Sequence, residues 1–196
     1  MEPRRDLIDL FRADRPTFRA RVDSVLTDTD RADTARRDAL AAGPESERFD
    51  GPPELDDYGS LSLRTRDLVW RCYLLDHAPL GLTICGPAFR DTPIVYATRT
   101  MRAITGYSLA DLRGENPRLL QGPDTDADAV ADLREAVDIW EPVTVELWNY
   151  RKDGTRFRNR LSLVPLPDET GTVGNWLGVQ EAVDAVTETR EQSPDG

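Results

Sequence analysis

Lysine and histidine are nearly missing from this chain. Of its 25 basic residues only Lys152 is a lysine, the rest are arginine, and His77 is the single histidine. Cys72 and Cys85 are too few for a disulfide framework, and with no Cys/His cluster a metal site is not expected. No uninterrupted apolar run reaches the ~18 residues that cross a bilayer, and the N-terminus lacks the order of a signal peptide, so a soluble, cytoplasmic protein without a membrane partner is expected. An excess of positive charge is absent too. The net charge of -11 repels phosphate and argues against direct binding of nucleic acid. Aspartate (24) outnumbers glutamate (12), which together with scarce lysine points to a salt-adapted, GC-rich source such as a halophilic archaeon. Codon bias alone explains arginine over lysine about as well, but explains the acidity less well.

A length of 196 residues suits one domain with extensions. In residues 1–27, Leu7, Leu10, Phe11, Phe18, Val22, Val25 and Leu26 recur at helical spacing around the start signal Asp14-Arg15-Pro16, predicting two short amphipathic helices. Residues 32–42 give a weaker helix, and 43–60, with Gly51-Pro52-Pro53, read as a linker. A helix is predicted over 65–75, with Leu68, Val69, Cys72 and Leu75 on one side. Strands at 81–85 and 94–97 are joined through Gly86-Pro87 and Asp91-Thr92-Pro93. Brief helices follow at 100–104 and 109–112. A longer one, 126–137, turns Val130, Leu133 and Val137 inward, and a last short helix is predicted over 183–191.

Period-two alternation is clearest near the C-terminus. Val143, Val145, Leu147 and Asn149 share one face, as do Phe157, Asn159, Leu161 and Leu163 after the Lys152-Asp153-Gly154 turn, and Trp176, Gly178 and Gln180 on a third strand. A hairpin centred near Gly154 sets Asn149 and Asn159 across from each other. Three carboxamides then line an otherwise apolar surface. Each buried amide left unpaired costs roughly 1–3 kcal/mol, so the set requires mutual pairing or a polar ligand. The opposite face, with Trp148, Tyr150, Val164, Leu177 and Val179, is too apolar to stay bare. The N-terminal helices, a second subunit or the last helix would have to cover it.

Residues 114–126 read Gly-Glu-Asn-Pro-Arg-Leu-Leu-Gln-Gly-Pro-Asp-Thr-Asp. Asn116 before Pro117 is an N-cap followed by a first helical residue, so 117–121 should be one tight turn ended by Gly122-Pro123. The string resembles the flavin-binding signature of LOV domains, the blue-light-sensing branch of the PAS family, which runs Gly-x-Asn-Cys-Arg-Phe-Leu-Gln-Gly and then Pro-x-Thr-Asp. The resemblance covers about 74–183. It implies an α+β fold with a five-stranded antiparallel sheet and short helices on one face, preceded here by an N-terminal helical extension. It divides the chain into an extension and linker (1–62), a flavin-binding domain (63–183) and a short C-terminal helix and tail (184–196).

Carried over, the resemblance assigns Asn149, Asn159 and Gln121 to the polar edge of the flavin ring and Gln180 to its O4/N5 side. Arg118 and Arg134 fall at the family's phosphate positions, and Asn116, Leu161 and Leu163 complete the pocket. With no insertion after Gln121, FMN is favoured over FAD. The chain departs from the pattern at Pro117, which replaces the adduct-forming cysteine, at Leu119 and Leu161, which replace common phenylalanines, and at Thr98, which replaces Asn or Ser. Cys85 points inward by alternation, but it and Cys72 read as buried packing residues. The implied function is a non-enzymatic sensory flavoprotein for blue light or redox state. It would work through one-electron reduction of the flavin to a neutral semiquinone, with Trp176 as the candidate donor. Since little chain follows the last helix, output is expected through association, as a homodimer formed by the N-terminal helices or the outer sheet face, or through a separate protein. The competing reading is a flavin-free PAS module that uses its sheet only to dimerise.

Overall fold

The computed structural model describes residues 3–183. Helices α1 (Pro3–Arg12) and α2 (Arg15–Arg21) form where the apolar spacing predicts, divided at Asp14, whose carboxylate accepts from the Thr17 N–H at 2.8 Å and caps α2. The weak helix expected over 32–42 is α4 (Thr34–Ala42), and a further short helix, α3 (Asp28–Ala32), which the sequence pattern did not predict, precedes it. Asp33 leaves helical geometry between them (φ -57°, ψ 120°) and caps α4 by accepting from the Arg36 N–H.

Residues 43–60 hold no long element, yet they are packed. Phe49, Leu55 and Tyr58 are buried, and the Tyr58 hydroxyl donates to the Pro44 carbonyl at 2.9 Å. The Gly/Pro punctuation hides an aromatic cluster, in which Phe49 meets Tyr58 and Tyr73 at centroid distances of 5.4 and 5.6 Å. Helix α5 (Leu63–Leu74) starts two residues before the predicted position because Ser62 caps it through the Thr65 N–H.

Strands β1 (Gly81–Cys85), β2 (Ile94–Ala97), β3 (Val143–Tyr150), β4 (Arg156–Pro167) and β5 (Val173–Val183) make one antiparallel sheet in the order β2-β1-β5-β4-β3. Between β2 and β3 the chain forms α6 (Arg99–Thr105), α7 (Leu109–Leu112), a 3-10 turn (Pro117–Leu120) and α8 (Ala127–Ile139). The β3–β4 hairpin pairs Tyr150 with Arg156 and Leu147 with Asn159, so it is centred on Asp153, one residue before Gly154. Gly154 instead supplies the left-handed residue of the turn, at φ +84°. Asn149 therefore faces Phe157 and is the diagonal neighbour of Asn159. Moving the centre by one residue keeps the parity of the pairs, and both amides still point inward.

The N-terminal helices cover the outer face. Leu7, Leu10, Phe11 and Phe18 join one core cluster with Val164, Leu177 and Val179, all buried. Arg4 on α1 donates to the Val179 carbonyl (2.7 Å), the Arg160 carbonyl (2.9 Å) and the Ser162 hydroxyl (3.1 Å). On α5, buried Arg71 pairs with Asp67 at 2.7 Å and donates to the Leu10 and Ala13 carbonyls, tying the end of α1 to α5. Trp148, nearer the sheet edge, is shielded by the guanidinium groups of Arg156 (4.6 Å) and Arg158 (5.7 Å) over its ring. Of the helix expected over 183–191, Val183 ends β5 and the rest lies outside the described residues.

Candidate cofactor pocket

The inner face of the sheet is the floor of a cavity of about 360 Å³, within the range of roughly 300–1,000 Å³ usual for small-molecule sites. Asn149, Asn159 and Gln180 gather at one end of that face, and Leu161, Leu163 and Trp176 extend from it. The roof is the turn Pro117–Leu120 with Gln121, and the side wall is the Val130, Leu133, Val137 stripe of α8. Gly178 keeps the floor low. A Cβ there would lie 2.4 Å from Thr83 Oγ1.

The polar end is only partly self-satisfied. Asn159 Nδ2 donates to Asn149 Oδ1 at 2.8 Å and to Gln180 Oε1 at 3.4 Å, and Gln180 Nε2 donates to Thr83 Oγ1 at 3.4 Å. Asn159 Oδ1 is buried without a partner, and so is Trp176 Nε1. An unpaired buried acceptor beside an open cavity is the mark of a place where a ligand supplies the missing donor.

The mouth is built differently. Asn116 Oδ1 accepts from the Arg118 N–H at 2.8 Å, capping the turn as expected. Its Nδ2 reaches the β1–β2 loop, donating to the Asp91 carbonyl (2.6 Å), Asp91 Oδ1 (3.2 Å) and Thr92 Oγ1 (2.9 Å). Asn116 therefore lines the cavity with both ends of its amide engaged in the fold. Arg118 and Arg134 stand at the opening, both exposed, and Arg118 forms an ion pair with Asp91.

Every residue singled out in the sequence for a ligand lines this cavity except Asn159, which borders it through the amide cluster. Sequence reasoning passed over Asp91 and Asp138 as lining residues. Alternation sets Thr83 on the face of Cys85, Leu147 on that of Asn149 and Gly178 on that of Gln180, and all three line the cavity. Cys85 does line the cavity, and burial pushes its thiol up to about 12, so it stays protonated at neutral pH. Among the described residues no cluster of metal-ligating side chains occurs and no helix is long and apolar enough to cross a membrane.

Comparison with known proteins agrees with this architecture. The family model described as a PAS domain matches residues 81–181. A solved light-oxygen-voltage domain, studied with a flavin analogue, is 44% identical, with 56% of this chain and 82% of that chain covered and a TM-score of 0.54. This chain belongs to the PAS family, in its LOV branch. The light-state structure of the blue-light photoreceptor Aureochrome1 LOV is 42% identical to it, covering 56% of this chain and 86% of that one, with a TM-score of 0.53. Among curated proteins, the bacterioopsin transcriptional activator of Halobacterium salinarum is 42% identical over 106 residues, 54% of this chain. This LOV protein spans only 16% of that relative's length. It is not devoid of cysteine, since Cys72 and Cys85 are both buried within it.

Proposed function

We propose that this chain is a sensory flavoprotein of the LOV type, with residues 63–183 binding FMN non-covalently and light or redox state as its input. The observation that carries the reading is the unpartnered Asn159 Oδ1 in a three-amide cluster at one end of a mainly apolar cavity, with two arginines at its open end. A flavin has that same polarity, a hydrogen-bonding pyrimidine edge, an apolar ring body and, in FMN, a phosphate.

When bound, the flavin supplies blue-light absorption and one-electron chemistry. Asn149, Asn159 and Gln121 would orient its pyrimidine edge, while Leu161, Leu163, Leu133 and Val137 exclude water from the ring. Pro117 places no thiol at the roof, and Trp176 in the cavity wall would serve the bound flavin as an electron donor in place of a covalent partner. Gln180 holds an acceptor toward Asn159 and a donor toward Thr83. A ligand atom that changes from acceptor to donor beside it favours the opposite amide orientation. The two residues flanking Gln180 are held from behind, Val179 through its carbonyl and Glu181 through its carboxylate, both by Arg4. Strain at Gln180 thus reaches α1 through one strand. This favours output through the N-terminal helices, to a second copy or a separate protein.

The flavin-free alternative needs an open sheet face for dimerisation, and the outer face here is occupied by the chain's own helices. The discriminating experiment is gentle purification in dim light followed by absorbance and mass spectrometry of the extract. A yellow protein releasing FMN is expected, and a colourless one with no extractable flavin would sink the proposal.

A further inference from the structure

The open end of the cavity carries more than the two arginines. Asp91 and Asp138 also line it, so Arg118 and Arg134 face two carboxylates and the formal charge at the mouth sums to zero. Of the two pairs, Asp91 with Arg118 is a made contact. Arg134 forms no ion pair among the described residues.

Asp91 is also fixed in place. Its backbone is left-handed at φ +66° and Thr92 follows at φ +45°, a conformation Asp tolerates better than most residues. The three hydrogen bonds from Asn116 Nδ2 clamp this pair to the first residues of the signature turn. Backbone bonds from Ile94 N–H to the Glu115 carbonyl and from Gly114 N–H to the Ile94 carbonyl, each 2.9 Å, tie the same turn to β2. The carboxylate is thus held against Arg118 by the fold, and a phosphate arriving at Arg118 meets an anion that is already there.

We propose that Asp91 is a specificity-determining residue that serves as a built-in counter-anion for Arg118, so that the pocket accepts flavin without its phosphate, riboflavin included, nearly as readily as FMN. This rests on the flavin reading above and refines it. With riboflavin, Asp91 keeps Arg118 neutralised at no cost. With FMN, a phosphate of about -1.5 to -2 charge at neutral pH has to share or displace that pairing, and Arg134 supplies most of its attraction. The Asp91 and Arg118 side chains are 62% and 60% exposed, so water screens the effect to the scale of a surface ion pair.

The test uses the full chain stripped of bound flavin and titrated separately with FMN and riboflavin, following flavin fluorescence, for wild type and Asp91→Asn. Asparagine accepts the same left-handed backbone, so the loop is retained. The expected result is FMN binding tightened about fivefold with riboflavin affinity unchanged, the upper end of what one exposed charge contributes. That difference should shrink at high salt. A merely structural role for Asp91 would shift both flavins by the same factor, and that outcome, or an unchanged ratio, overturns the proposal. A second pair of variants tests it without touching the loop. Arg134→Gln should weaken FMN binding more than Arg118→Gln, since Arg118 is already neutralised, and the reverse order would also overturn it. If wild type binds neither flavin, the flavin reading itself falls; if it binds both with a ratio indifferent to residue 91, that reading stands and the Asp91 role does not.

Discussion

Replacing Asn159 by leucine should separate the ligand from the scaffold. Asn159 is fully buried, donates to Asn149 at 2.8 Å, and leaves Oδ1 unpaired. In the ligand-free protein Asn159→Leu removes an unsatisfied acceptor, a relief of about 1–3 kcal/mol, but loses one good hydrogen bond of about 0.5–1.5 kcal/mol and orphans Asn149 Oδ1. The terms oppose each other and are of similar size. Ligand-free stability should therefore change by no more than about 1 kcal/mol, a shift of about 2–4 °C in melting temperature for a protein of this length. With flavin the balance differs, because the variant forfeits the contacts Asn159 would make to the ring edge. Affinity should fall by about 1–3 kcal/mol, or roughly 5- to 150-fold. Thermal melts of the stripped protein over a range of FMN concentrations measure both quantities, since a ligand that binds only the native state raises the melting temperature with its concentration. A variant that melts far below wild type without flavin, yet binds FMN with unchanged affinity, would mean that the three amides are a structural network and that the pocket assignment is wrong.

Phe18 is fully buried, with the Arg71 guanidinium 4.8 Å from its ring, so Phe18→Ala should cost about 3–5 kcal/mol and lower the urea midpoint. A change under about 1 kcal/mol would show that α2 does not pack on α5. Trp176→Phe should leave flavin bound but slow its photoreduction and brighten its fluorescence; rates equal to wild type would clear Trp176 as the donor. Pro117→Cys should fold, because Pro117 opens a turn already capped by Asn116, and blue light should then convert the visible flavin band reversibly into a thiol adduct, without the red-shifted radical band expected of wild type. Unaltered photochemistry in a flavin-loaded variant would mean that the turn lies elsewhere relative to the ring. Burial raises the Cys85 thiol from 9.0 to about 12, so its folded form keeps a proton that the unfolded form loses. Stability should accordingly decline as pH rises between those values, and Cys85→Ala should flatten the decline in denaturant titrations; an equal slope in the variant would refute the assignment.

Much of this protein was legible from local rules. Asp14 and Asn116 announce the helix starts they cap, because capping needs only a side-chain oxygen and an N–H two or three residues on. Alternation along β3, β4 and β5 was enough to gather the amides on one face, because side-chain direction in a strand has a period of two whatever lies around it. The order of residues 114–126 identified the family. What stayed hidden depends on long-range contacts. The sequence left three candidates to cover the outer face, and the choice of α1 comes from Arg4 and Arg71 making bonds that span more than 50 residues. Residues 43–60 looked like a linker because punctuation by Gly and Pro reports the backbone, whereas the burial of Phe49 and Tyr58 depends on Tyr73 and the carbonyl of Pro44. Arg118 looked like a free cation awaiting phosphate. Its pairing with Asp91, 27 residues away, exists only because the fold brings the β1–β2 loop and the signature turn to the same edge of the cavity, so tertiary structure alone decides how much positive charge the mouth offers.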